Sequence, residues 1–312
     1  LRAAAGQSVD EHARTIAELW AGFSDVAEGN PHAALPRRHS AEEIGTPGPR
    51  NRMVGFPYPK LMNSNNAVDQ AAAILLASVG TAEALGIPRD RWVFPLACAE
   101  AQDPVLSERA EMHRSPGLRA AGAAALRLAG IDAGDVAHVD LYSCFPSAVQ
   151  VAAAELGLPL DRELTVTGGL TFAGGPWNDY VSHAIAAMTG RLRADPGAVG
   201  LCSGLGGYLS KHAVGLYSTE PPRHGFRHGV IRHGHGSGRR DLAESVVGEV
   251  TVETCTVMHD RSGTPERGIA ACLLEDGRRT WATTTDPGLM AAMVEDGFIG
   301  GRVEVAGGAL RA

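Results

Sequence analysis

Between residues 118 and 217 the chain alternates between two hydrophobic periods, and few architectures accommodate that. Residues 118–128 form an Ala/Leu-rich helical run ended by Gly130, 136–142 read as a strand, and 147–156 as a helix stopped by Gly157. Residues 164–167 then read as a strand and 178–193 as a helix stopped by Asp195-Pro196. Residues 199–202 read as a strand whose antiparallel partner, 213–217, lies across a Gly-rich turn. Helical and strand periods alternating at these lengths predict an α/β layer structure.

The flanks are organised differently. Ser8-Val9-Asp10-Glu11 fits a capping box, and Ile16, Leu19, Trp20 and Phe23 follow at helical spacing as far as Asn30-Pro31. Residues 31–59, rich in Pro, Gly and Arg, read as a long irregular connection. Residues 71–78 are a short apolar run, a buried strand or a helix start, leading into a helix that ends at Leu85-Gly86; 91–97 are a second candidate strand. Residues 221–240 hold five arginines, five glycines, four histidines (His224, His228, His233, His235) and no acid, a composition that cannot bury a core and predicts a solvated linker. Beyond it, 246–257, 268–274 and 280–284 read as strands, with a short helix at 287–294: a small all-β module. The expected divisions are a helical and loop segment at 1–60, an α/β domain at 61–219, a Gly/His/Arg linker at 220–244 and a β domain at 245–312.

Composition narrows the function classes. A chain of 312 residues, 44% hydrophobic, has ample material for a core. The net charge of −7 argues against general nucleic-acid or membrane binding. No apolar run approaches the roughly 18–20 residues of a membrane helix. Residues 1–8 carry no apolar signal core, and five widely spaced cysteines form no disulfide scaffold, so a reducing cytoplasm is the expected location. The chain opens without Met in the approach to a helix, which reads as part of a longer protein.

Three segments can carry chemistry. Cys202 ends an apolar strand and precedes Ser203-Gly204-Leu205-Gly206-Gly207. A thiol at a strand's carboxyl end beside glycines lies where α/β folds place chemistry, and a buried structural cysteine is the other reading. Thr167-Gly168-Gly169-Leu170 and Ala173-Gly174-Gly175-Pro176-Trp177 form a Gly-rich connection. Its free amides can hold an anion or oxyanion, or its glycines can serve a tight turn with positive φ. It is neither a dinucleotide nor a P-loop fingerprint. Tyr142-Ser143-Cys144-Phe145-Pro146 sits at another strand end, where Ser143 reads as a helix cap rather than a catalytic hydroxyl. The four histidines of the linker invite a zinc reading, but no cysteine or acid lies among them, so no metal is expected. His183 reads as a packed or half-exposed histidine of a helix.

In order and spacing these motifs resemble the C-terminal half of thiolases, especially the sterol-carrier-protein-x type and its bacterial thiolase-like relatives. Asp69-Gln70-Ala71-Ala72-Ala73 is similar to the Asp-Gly-Ala-Ala-Ala segment near the end of the thiolase N-terminal half, and the residues after the linker are similar to an appended oligonucleotide-binding-like β-barrel. The resemblance implies a thiolase-like layered mixed sheet with helices, plus that barrel. In the family, an N-terminal-half cysteine takes the acyl group from coenzyme A, a second cysteine in Cys-x-Gly moves a proton, and a Gly-His-Pro histidine activates the nucleophile. An Asn or His completes the oxyanion hole. The resemblance puts Cys202 at the second cysteine, Gly175 where that histidine belongs and Tyr142 where the Asn or His belongs; the nucleophile's half is expected outside these residues. Gly168, Gly169, Gly174, Gly175, Ser203 and Gly204 would shape the substrate pocket.

Without an imidazole at position 175 a nucleophilic thiol has no evident base and an oxyanion donor is lost, at a typical cost of about 10²–10³ in rate. Tyr142 can still donate a hydrogen bond, and Cys202 can act as acid or base if its pKa is lowered. The resemblance therefore implies an acyltransferase-like protein acting on acyl-coenzyme A thioesters, with divergent or impaired carbon–carbon chemistry and coenzyme A as substrate rather than resident cofactor. The alternatives are a non-catalytic acyl-coenzyme A, lipid or partner-binding subunit, and a retro-aldolase acting on β-hydroxyacyl thioesters. A homo-oligomer, or association with the N-terminal half, is the expected assembly. From Ser245 onward six arginines face ten acids, a net −4, with Trp281 and Phe298 as aromatic platforms. Single-strand binders need a basic groove, so the module is expected to be structural or interactive rather than a nucleic-acid binder. The basic linker is a candidate contact for the phosphates of coenzyme A.

Overall fold

The computed structural model describes residues 1–232 and 238–311. Helix α1 (Val9–Glu28) begins at the expected capping box: the Ser8 side chain accepts from the Glu11 amide, and the Glu11 carboxylate accepts from the Ser8 amide at 2.8 Å. Two orphan donors are thereby satisfied. Its apolar stripe buries Ile16, Trp20, Phe23 and Ala27, with Trp20 stacked on Phe23 at 4.9 Å. The connection expected to be irregular contains three short elements, α2 (Ala41–Gly45), β1 (Met53–Gly55) and β2 (Tyr58–Pro59). Residues 67–78 follow outside any helix or strand and lead into α3 (Val79–Ala84).

The α/β part is a five-stranded mixed sheet. In chain order it is built from β3 (Phe94–Gln102), α4 (Pro116–Ala129), β4 (Val136–Asp140), α5 (Pro146–Leu156), α6 (Gly169–Phe172), α7 (Tyr180–Ala194), β5 (Val199–Gly206), β6 (Lys211–Ser218) and β7 (Arg227–Ile231). The strand order is β4-β5-β6-β3-β7, with β4 parallel to β5, β7 parallel to β3, and the inner pairs antiparallel. α4 lies on the face of β3, β6 and β7, and α7 lies against β5 and β4. Leu118, Val139, Val149, Val214 and Leu216 join the α1 stripe in one core; Leu170, Tyr180, Met188, Leu192 and Cys202 form a second under α7. The expected mixed sheet layered with helices is present.

Three expectations are corrected here. Residues 164–167 are not a strand, because the Thr165 and Thr167 hydroxyls and the Val166 and Thr167 amides all turn onto the Asp140 carboxylate instead of a ladder. Part of the expected linker, Arg227–Ile231, is an edge strand: it satisfies the open edge of β3 in parallel register from Ala97↔Arg227 to Ala101↔Ile231, and His228 meets Glu100 at 3.0 Å. His233 and His235 lie outside the described residues. Finally, Ser143 does not cap α5, whose N-cap is Phe145 with no side-chain bond; the Ser143 hydroxyl accepts from the Leu170 amide at 3.2 Å.

The C-terminal strands are β8 (Val247–His259), β9 (Pro265–Leu273), β10 (Arg279–Thr284), β11 (Arg302–Ala306) and β12 (Ala309–Arg311), with α8 (Pro287–Ala292) inserted before β11. Pairing runs β8-β9-β10-β12-β11 and back to β8, a closed five-stranded barrel around Val250, Val252, Ala270, Cys272, Ala282 and Leu310. Closure leaves few free edges. The β1–β2 hairpin adds to β8 through Gly55↔Met258, so residues from before position 60 extend the barrel's sheet. Among the described residues no helix is long and apolar enough to cross a membrane.

Candidate functional site

Parallel pairing of β4 with β5 brings their carboxyl ends to the same edge of the sheet. The 141–145 loop that follows β4 therefore meets the last residues of β5, 203–206, and the Tyr142 amide donates to Ser203 Oγ at 2.9 Å. The Gly-rich connection packs behind them, with Leu170 bonded to Ser143 as described. The Ser64 hydroxyl donates to the Cys144 carbonyl at 3.1 Å, and the Gly175 amide donates to the Asn65 carbonyl at 2.9 Å. The three segments singled out from sequence thus occupy one place, lined additionally by residues 64–66.

The glycines work as close-packing and turn residues. Gly168 sits at φ +102°, and a Cβ there would lie 2.6 Å from the Ala27 Cα. Gly169, at φ +76°, would place one 2.7 Å from Ser143 Oγ; Gly174, at φ +116°, backs onto the Gln70 side chain. Such conformations and clearances admit only glycine without strain. The amides are engaged as well: Gly168 donates to Thr165 Oγ1 at 2.9 Å, Gly169 to Thr167 Oγ1 at 3.1 Å, and Leu170 and Gly175 as given above. Of the two readings of this connection, the tight turn is the one realised, and these amides are not free for an oxyanion. At Gly175 a Cβ would lie 3.2 Å from Asn66 Oδ1 and 3.3 Å from Ser64 Cβ, so this position is closely neighboured.

Beneath the turn lies a buried polar cluster that sequence reasoning passed over. Asp140 Oδ2 accepts from the Thr165 and Thr167 hydroxyls (2.9 and 3.0 Å) and from the Val166 and Thr167 amides (3.0 and 3.2 Å). Asp140 Oδ1 accepts from the Tyr180 hydroxyl at 2.9 Å. The spacing Thr-x-Thr directly before two glycines was the available signal, since such hydroxyls turn onto nearby polar groups rather than join ladders. Cys202 stands opposite Asp140 in the β4–β5 ladder and is buried. Burial, and then the Asp140 charge, push its thiol well above the ordinary value. The condition of a lowered thiol pKa is therefore not met. Tyr142 lies edge-on to Tyr180, 5.4 Å between centroids; burial raises its pKa, which keeps the phenol a proton-bearing donor. His183 sits on α7 with Nε2 3.2 Å from Asp179 Oδ2.

A cleft of about 790 Å³ opens beside the turn, bounded by Thr167, Gly174 and Tyr180, by Ala71–Ala73 and by α7. Among the described residues no group of three or more His, Cys, Asp or Glu could hold a metal ion.

The profile of the thiolase-like protein type 1 additional C-terminal domain matches residues 236–307, the barrel. Among solved structures, the chain is similar to a monomeric SCP2-thiolase-like protein type 1 from Mycobacterium smegmatis. The two share 37% identity and a TM-score of 0.86, over 98% of this chain and 68% of that one. No curated protein sequence matches significantly.

Proposed function

This chain belongs to the thiolase superfamily, among the SCP2-thiolase-like proteins of type 1, and from that premise we propose that it binds acyl-coenzyme A thioesters with impaired thiolysis chemistry. The observation that carries the reading is the meeting of the 142–145, 168–176 and 202–206 segments at one edge of the sheet, with the chemistry of each muted. Cys202 is buried with a raised pKa, Gly175 packs against Asn66 and Ser64, and the amides of the turn are occupied. A junction of segments with no ready thiolate and no imidazole at position 175 favours holding a thioester over cleaving it. Exposed Arg223, Arg227 and Arg232 beside β7 are the candidate contacts for the nucleotide phosphates.

The test is a thermal-shift and calorimetric titration with coenzyme A and acyl-coenzyme A, paired with a β-ketoacyl thioester cleavage assay. Stabilisation without turnover supports the proposal. No binding, or turnover that disappears in Cys202→Ala, overturns it. A second reading, carbon–carbon lysis of β-hydroxyacyl thioesters, is favoured by one observation, the proton-bearing Tyr142 phenol where the 142–145 and 202–206 segments meet. Product formation that falls in Tyr142→Phe and persists in Cys202→Ala would replace the first reading by this one.

A further inference from the structure

We propose that Trp177 seats the acyl chain of the thioester and makes the site prefer acyl-coenzyme A to free coenzyme A, an inference that rests on the acyl-coenzyme A reading. Its backbone is the first observation. Pro176, at φ −74° and ψ +55°, is the centre of an inverse γ-turn closed by the Trp177 amide, which donates to the Gly175 carbonyl at 2.7 Å. Trp177 then takes φ +51° before the chain enters α7. A left-handed conformation is costly for a bulky side chain and suits glycine or asparagine. Among the described residues 17 glycines have positive φ, against three other residues, Trp177, Leu209 and Ser245. Glycine is this chain's ordinary solution to such a turn, so an indole at 177 stands against the preference of its own backbone.

The fold makes no use of that indole. Trp177 is 73% exposed, and among the described residues it makes no side-chain hydrogen bond, ring stack or cation contact. Trp20, by contrast, is stacked on Phe23 and bonded to Thr171, and Trp92 donates to the Ile87 carbonyl. Backbone strain without packing in return points to a side chain held for a ligand. Its place agrees. Gly175, two residues before, neighbours Ser64 and Asn66, and Val181, four residues after, lies 3.7 Å from where a Gly204 Cβ would be. Trp177 therefore stands between the 64–66 segment and the end of the Cys202 strand. Phe145, 40% exposed, follows Cys144, whose carbonyl accepts from Ser64, so two exposed rings issue from backbone that meets Ser64. The segments that come together here, 61–70, 141–147, 168–179 and 202–207, contain no lysine or arginine. Nothing in them offers a charge to the phosphates of coenzyme A, whereas exposed aromatic faces suit an aliphatic chain. The acyl end of the thioester, not its nucleotide end, is the part that matches.

The experiment titrates the 312-residue chain with coenzyme A and with octanoyl-coenzyme A by calorimetry, in the native sequence, Trp177→Phe and Trp177→Asn. Asparagine tolerates positive φ, so Trp177→Asn should melt at the native temperature or up to about 4 °C above it. It should bind octanoyl-coenzyme A about 10-fold more weakly and free coenzyme A as the native protein does. Trp177→Phe keeps a ring and should keep most of the affinity for the octanoyl thioester. Three results overturn the inference: unchanged octanoyl-coenzyme A affinity in Trp177→Asn, an equal loss for both ligands, or a lower melting temperature in that variant. In each of them the native protein still binds and the acyl-coenzyme A proposal stands. A native protein that binds neither ligand overturns both.

Discussion

Cys202 shows how far the setting of a residue singled out from sequence depends on a neighbour the sequence hides. The glycines after it read as the strand end, yet β5 runs on through them to Gly206, and Asp140, four positions before Cys144, reads in one dimension as an ordinary acid. Only the fold places it fully buried across the ladder from the thiol, held by five hydrogen bonds. A thiolate there would be both desolvated and repelled. In the folded protein at neutral pH, Cys202 should resist iodoacetamide and become labelled only on denaturation, as peptide mass spectrometry would report. Labelling at the rate of a free peptide thiol would refute the burial argument. His12 offers a titration at the same scale. Burial, then the Leu1 ammonium and Arg2, lower its pKa from 6.5 to about 4, with Nδ1 2.9 Å from Gln7 Oε1. The folded state thus favours the neutral ring. Its contribution is complete above pH 6.5 and is lost as pH falls through about 4, a change of up to roughly 3 kcal/mol. Urea unfolding across that window should show the slope in the native sequence and a flatter one in His12→Gln.

At the scale of elements, helices and the inner strands were legible because their periods and stops are local. The Ser8 capping box, Gly130 and Gly157 each fix an end of a helix, and the antiparallel pairing of 199–202 with 213–217 follows from the turn between them. What escaped was decided by distant partners. Arg227–Ile231 has the composition of a linker and becomes a strand because β3 offers an open edge, whereas 164–167 has the composition of a strand and becomes a cradle for Asp140. The β1–β2 hairpin exists against β8, some 200 residues later in the chain. The glycines test the resulting geometry by contrast. Gly168→Ala adds a Cβ against the Ala27 backbone, which cannot yield, on top of positive-φ strain. Gly174→Ala has similar strain, but its obstacle is the movable end of Gln70. Gly204 has ordinary backbone torsion and nothing nearer than 3.7 Å. Melting temperatures should therefore fall most for Gly168→Ala, by the equivalent of about 3 kcal/mol or more. The fall should be about 1–3 kcal/mol for Gly174→Ala and near zero for Gly204→Ala. Equal losses at 168 and 204 would mean the close approach to α1 is not as described.

The whole molecule is joined by arginines rather than by its apolar cores. Arg279, at the start of β10, is fully buried and grips both Glu253 carboxylate oxygens, Nε at 2.5 Å and Nη2 at 2.7 Å. Its Nη1 reaches out of the barrel to the Ser107 carbonyl at 2.8 Å, in the segment linking β3 to α4. Arg240 donates to the Ala110 carbonyl (2.9 Å) and to Gly277 (3.1 Å), and Arg109 carries the connection on to the Tyr208 and Leu209 carbonyls in the β5–β6 turn. The barrel is thereby tied to the turn that follows the Cys202 strand. Composition could not reveal this, because the barrel's net −4 counts Arg279 as one more surface charge. Removing one member of a buried pair strands the other, at about 3–5 kcal/mol, while replacing both by apolar groups of similar volume is often near neutral. Arg279→Met should accordingly destabilise strongly, and Arg279→Met with Glu253→Met should recover most of that loss. The double variant still lacks the reach to Ser107, so its calorimetric trace should separate into two transitions, barrel and α/β part, where the native protein shows one. If the double variant recovers both stability and a single transition, the coupling resides in the β1–β8 pairing and not in Arg279. If Arg279→Met alone melts as the native protein does, the buried ion pair does not contribute to the fold.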